Sequence, residues 1–132
     1  MAYASHLLRD PYATYRQVDA AGRTATADGP ALVQLLYTEL VAALRAAGFA
    51  CAKRQFGVKS ERLTRATAIL FALEQGLDFD KGGEVSVTLQ RLYAGARAQI
   101  VQAAVGHDAA PFHRIATDFA EIAAAWETAR AA

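Results

Sequence analysis

The side chains best suited to metal or acid–base chemistry in this chain are six glutamates, three histidines and one cysteine, and their spacing argues against both uses. A helical bundle that holds a di-iron or di-manganese centre carries Glu-x-x-His pairs that project inward. None of Glu39, Glu61, Glu74, Glu84, Glu121 or Glu127 has a histidine three residues on. His107 and His113 stand six residues apart, which does not bring them to one helical face, and Cys51 has no second thiol, so zinc spacing is missing as well. The nine glycines form neither GxGxxG nor GxxxxGK[ST], and Gly82-Gly83 follows a helical pattern instead of a strand, so a phosphate cradle lacks its context. The residues thus present no catalytic constellation, and no cofactor or metal is expected. The basic cluster Lys53, Arg54, Lys59, Arg62 and Arg65, with Phe56 inside it, is the candidate for nucleic acid. Glu61 and Glu74 share the region and the net charge is only +1, so the cluster reads as solvated helix surface and no nucleic-acid partner is expected.

The elements that would position any site are helical. Of 132 residues 32 are alanine, the best helix former, and hydrophobic residues reach 54% against 20% charged, which describes one folded domain with apolar surface to spare. Residues 1–29 carry Tyr3, Tyr12 and Tyr15 with breakers Pro11 and Gly22 and no sustained period; they read as a flexible N-terminal arm ahead of a bundle over 30–131. A first helix is predicted from about Pro30 to Ala47, closed by Gly48, with Leu32, Leu35, Leu36, Leu40, Ala43, Leu44 and Ala47 as its core stripe. Phe49 to Val58 reads as a loop or a frayed helix start. A second helix runs from Ser60 to near Gly76 on Leu63, Ala66, Leu70, Leu73 and Leu77, and Leu77 to Gly83 is a packed link. The third, which should be the longest, starts near Gly83 or Glu84 with Val85, Leu89, Leu92, Ala96, Ile100 and Ala103 on one face and stops at Gly106. Asp108 caps a fourth, on Phe112, Ile115, Phe119, Ile122 and Trp126. Short links favour antiparallel neighbours, so the expected fold is all-α, an antiparallel four-helix bundle with an N-terminal arm. No run approaches the roughly 20 apolar residues of a membrane span, and Arg9 and Asp10 interrupt the N-terminus where a signal peptide needs its apolar region, so a cytoplasmic protein without membrane insertion is expected.

The apolar surplus is the positive signal. Val33, Tyr37 and Val41 form a second stripe on the first helix, and Ile69 and Phe71 flank the seam of the second. Two explanations stay open: helices buried on several sides, or a groove that receives another amphipathic helix. Tyr37 and Tyr93 each follow a leucine of the seam, and a phenol offers an apolar ring with a polar tip, which suits either a groove edge or a partly buried structural tyrosine.

Pro11-Tyr12-Ala13-Thr14-Tyr15-Arg16-Gln17, the proline-started helix with Leu35-Leu36-Tyr37, and above all Leu77-Asp78-Phe79-Asp80-Lys81-Gly82-Gly83-Glu84-Val85 followed by Leu89 and Leu92-Tyr93 resemble the flagellar export chaperones called FliS. The last helix, closing on Trp126, is similar to the family's C-terminal helix. Thr38-Glu39 stand where the family usually has Asp-Gly, and Ala94-Gly95 where it usually has a further aromatic. The resemblance implies a non-enzymatic chaperone that binds the C-terminal segment of flagellin, prevents its premature polymerisation and supports delivery to the type III export apparatus. Export gate components would be further partners, and a weak homodimer is a further association. A regulatory bundle that sequesters a different helical partner is the alternative. The partner-binding residues expected on these grounds are Tyr12, Tyr15, Val33, Leu36, Tyr37, Val41, Leu77, Phe79, Leu89 and Tyr93, with the arm as a reversible cover of the client groove.

Overall fold

A computed structural model describes residues 29–131, which form four helices: α1 (Gly29–Ala52), α2 (Phe56–Gln75), α3 (Phe79–Ala104) and α4 (Ala110–Ala131). The links are residues 53–55, 76–78 and 105–109, too short to carry the chain back along a helix, so successive helices run antiparallel. Helix α1 packs against α2 and α4, and α2 against α3, while the α3–α4 seam is the sparsest. The result is the expected antiparallel four-helix bundle.

The buried seam repeats the three- and four-residue steps of the sequence. Leu40, Leu44 and Ala47 of α1 meet Leu63, Ala66 and Leu70 of α2, Leu89, Leu92, Ala96 and Ile100 of α3, and Phe112, Ile115, Phe119 and Ile122 of α4 in one core. At the end of the bundle where α1 begins, Tyr37, Tyr93, Phe119 and Trp126 form an aromatic cluster; ring centroids lie 4.6 Å apart for Tyr37–Trp126 and 5.4 Å for Tyr37–Phe119. Two ion pairs tie helices together across the surface, Arg65–Glu39 at 2.7 Å between α2 and α1 and Arg97–Glu74 at 2.6 Å between α3 and α2.

The element boundaries differ from the sequence expectation in three places, each with a physical reason. Gly48 does not end α1. It is the point where α4 comes closest, since a Cβ there would lie within 3.0 Å of three atoms of the His113 ring. The helix ends instead at Ala52 in a Schellman turn, with Gln55 N–H donating to Ala50 O (2.8 Å) and Arg54 N–H to Cys51 O (3.1 Å) around Arg54 at φ 59°. Second, α2 starts at Phe56, so the irregular stretch is the tail of one helix, a three-residue turn and the first turn of the next. Third, Gly82 and Gly83 lie inside α3. The helix begins at Phe79 behind Asp78, whose carboxylate accepts from Lys81 N–H (3.0 Å), and Gly83 breaks the helical path one turn on with φ 54° and ψ −128°. Ser86 Oγ donates to Asp78 O at 2.8 Å and holds the two sides of that break together.

Leu32 and Leu35, expected in the core, are about half exposed. The buried arc of α1 is centred between the two apolar stripes read from the sequence and takes Tyr37 and Val41 with Leu40 and Leu44, which leaves the two leucines on the outer side. Helix α1 is apolar on nearly all sides, and by length and composition Ala31–Ala52 is enough to cross a membrane, contrary to the sequence expectation. Half of that stretch is buried inside the bundle.

Candidate partner-binding groove

Of the ten residues singled out from the sequence, Tyr12 and Tyr15 lie outside the described residues. Tyr37, Val41, Leu89 and Tyr93 are core residues, which corrects their expected place on a binding surface. Tyr37 and Tyr93 are 0% and 1% exposed, and their hydroxyls share a hydrogen bond of 2.7 Å, so each polar tip is satisfied by the other phenol instead of by water or a partner. Burial pushes both phenols above their ordinary range. The adjoining Tyr93 hydroxyl adds to the rise at Tyr37, whereas the hydrogen bond from Tyr37 offsets part of the rise at Tyr93. Val33, Leu36 and Leu77 are half-buried against the core, and Phe79 is exposed at the start of α3. Leu36 therefore sits at the margin of the core, not inside it. Four of the eight described residues thus lie in the core and four at its margin or on the surface.

A groove exists elsewhere, between α2 and α3. On α3 it is bordered by Val101 and Val105, which belong to a second apolar stripe with Val87, Ala94 and Ala98 on the face opposite the core stripe. Val101 and Val105 are 65% and 88% exposed. Phe56 and Phe71 stand exposed on α2. Thr64 and Thr67 also line the groove, and their hydroxyls donate to backbone carbonyls of their own helix, to Ser60 O and to Leu63 O, both at 2.9 Å. Their outward surface is consequently the methyl, and the wall is less polar than its sequence suggests. From Val87 to Val105 the stripe spans about 27 Å at 1.5 Å per residue, enough for five turns of a docked helix.

The two ends of the groove differ. Toward the middle of the bundle the Arg97–Glu74 pair crosses it, with the guanidinium 5.8 Å from the Phe71 ring centroid and Arg97 Nε buried without a hydrogen-bond partner among the described residues. At the α3–α4 turn it deepens into a cavity of about 390 Å³ over Leu63, Ile100, Val101 and Ala104. Lys59 is built into the cavity wall. The residue is 5% exposed, and its ammonium donates to Ala104 O (2.9 Å) and Gly106 O (2.8 Å) and lies 5.9 Å from the Phe56 and 5.8 Å from the Phe112 ring centroid. A cation at the last carbonyls of a helix is favourable, so Lys59 closes α3. Phe56 in turn leans on His107, centroids 5.5 Å apart. The basic cluster is thereby dispersed: Lys59 is inside the bundle and Arg65 is paired with Glu39. Among the described residues no three His, Cys, Asp or Glu side chains gather as a metal-binding group.

The groove residues Phe56, Lys59, Val101 and Val105 were not among the expected site residues, yet the signal of the two valines lies in the sequence. Helix α3 has two apolar stripes, and only one can face a core.

An all-α bundle with an apolar groove along two helices defines a helical binding module. The FliS family, described as flagellar protein FliS, matches residues 10–132. The chain belongs to this family. It is 27% identical over 113 residues to the flagellar secretion chaperone FliSB of Pseudomonas aeruginosa, covering 86% of this chain and 90% of that protein. To the flagellar secretion chaperone FliS of Salmonella typhimurium it is 29% identical over 114 residues, 86% and 84% of the two chains, and to that of Vibrio cholerae 27% over 120 residues, 91% and 88%.

Proposed function

We propose that the protein is a cytoplasmic flagellar export chaperone, without enzymatic activity, that binds the C-terminal segment of flagellin, keeps it from polymerising and supports its delivery to the type III export apparatus. Family membership supports the chaperone role, and the observation that carries the binding mode is the apolar groove between α2 and α3, beside the exposed apolar stripe of α3, on a bundle whose core is already complete. A segment that is disordered alone and helical when packed has apolar faces that would otherwise find one another; covering them needs a long surface, since coupled folding typically buries roughly 1,000–3,000 Å² and costs about 2–5 kcal/mol in ordering. Val33, Leu36, Leu77 and Phe79 offer a second apolar region at the other end of the bundle, along which a wrapped client would continue. The arm, with Tyr12 and Tyr15, covers the client groove reversibly in this reading, and export gate components meet the loaded chaperone.

Calorimetry with the C-terminal region of the cognate flagellin, against the same flagellin lacking it, tests the reading. Binding of the first alone is expected, and Val101→Asp should abolish it with the fold intact. Equal and negligible heats for both would favour a regulatory bundle with another helical partner.

A further inference from the structure

We propose that the cavity at the α3–α4 end of the groove is a carboxylate-reading subsite, which takes an acidic side chain carried on the apolar face of the partner helix. The inference deepens the client reading, on which it rests for the helix that bears the acid. Its basis is a charge without a counter-charge. Buried cations are ordinarily paired, yet the ammonium of Lys59, a residue 5% exposed, has no carboxylate among its partners in the described structure, and no described Asp or Glu lines the cavity. The C-terminal carbonyls of α3 that it caps carry the equivalent of about half a negative charge, which leaves roughly half a positive charge unmatched.

Donor capacity agrees. An ammonium has three N–H groups, and two are used on Ala104 O and Gly106 O. The third has no acceptor among the described residues, and Lys59 lines the cavity. The floor is apolar and the hydroxyls of Thr64 and Thr67 are engaged with their own helix, which leaves Ser60 and His107 as the other polar side chains of the lining. The source of the carboxylate follows from continuity. The cavity is bordered by Val101 and Val105 of the exposed apolar stripe of α3, which a free small acid would leave uncovered and a helix bearing a Glu or Asp would cover.

The test uses the full chain with methyl-labelled Val and Ala, titrated with N-acetyl-Leu-Leu-Glu-amide and with its Gln counterpart. The acid is expected to shift Val101, Ala104 and Val105 methyls and to bind at least tenfold more tightly than the amide. Lys59→Met should erase that preference. Because Lys59 also closes α3, Val105→Asp, at an 88% exposed position, provides a second variant that leaves the fold alone; its carboxylate competes for the ammonium, so it should weaken the acid probe about threefold to tenfold more than it weakens the amide. Equal affinities, shifts elsewhere on the bundle, indifference of the acid probe to Val105→Asp, or an equal response to isobutyrate would each overturn the proposal. A preference for the acid probe in a chain that ignores flagellin would leave the subsite standing and remove flagellin as its source. In the opposite case, flagellin bound without any acid preference, the subsite falls and the client reading survives.

Discussion

The Tyr37–Tyr93 pair allows the core to be tested with two hydroxyls and no change in volume. Tyr37→Phe leaves the Tyr93 hydroxyl, on a residue 1% exposed, without its 2.7 Å partner, and Tyr93→Phe does the same to Tyr37 at 0%. Each single variant loses a hydrogen bond and strands a buried polar group, for about 1–3 kcal/mol. The double variant removes both hydroxyls from an aromatic cluster that already includes Phe119 and Trp126, and replacing both partners by apolar groups is nearly neutral. The singles together should therefore exceed the double by about 2–6 kcal/mol, a coupling large enough to resolve by urea unfolding monitored by circular dichroism. Additive losses would show that the hydroxyls do not depend on one another and would refute the account of both tyrosines as core residues.

Four further outcomes follow from named features. Raised phenol pKa values mean that the folded state holds its tyrosyl protons above pH 10 while the unfolded chain releases them; stability is full below pH 10 and should fall above it by about 1.4 kcal/mol per pH unit for each tyrosine, seen as an alkaline loss of melting temperature that the double Phe variant lacks. Gly48→Ala drives a methyl into the His113 ring and should cost about 1–3 kcal/mol in chemical unfolding, with His113→Ala restoring part of it. Arg54 holds a left-handed conformation at φ 59°, so Arg54→Gly should raise stability by up to about 1 kcal/mol, whereas Gly83→Ala at φ 54° should lower it by about 1–2 kcal/mol although open space surrounds the site. Deletion of residues 1–17 should strengthen flagellin binding or promote self-association in calorimetry and sedimentation; weaker binding by a folded monomer would replace the cover with a clamp.

The helices were legible because three of the four carry core stripes whose period survives any detail of packing: Leu70, Leu92, Phe112, Ile115, Phe119 and Ile122 are all buried. Their ends were less so. Glycine stops a helix when it supplies a left-handed residue, but at position 48 its use is steric, and no local pattern distinguishes a glycine that ends a helix from one that lets a histidine lie on it. Conversely the turn that closes α1 after Ala52 puts Arg54 in the conformation glycine prefers, so the local signal was absent where the turn occurs.

The groove was harder because burial is decided by differences between apolar faces. On α1 the residues Leu32, Leu35, Leu40 and Leu44 look alike in sequence, and only the positions of α2 and α4 decide that the first two stay outside. Tyrosine misled for a related reason: a phenol at an interface and a phenol in a core differ only in what meets the hydroxyl, and here it is a second tyrosine 56 residues away. The basic stretch before α2 is the same problem with charge. Lys59 is one of five similar cations in sequence, yet folding buries it at the end of α3. One residue thus joins the stability of the helix to the chemistry of the groove, because the carbonyls that fix its position also leave it one donor free for whatever the cavity admits.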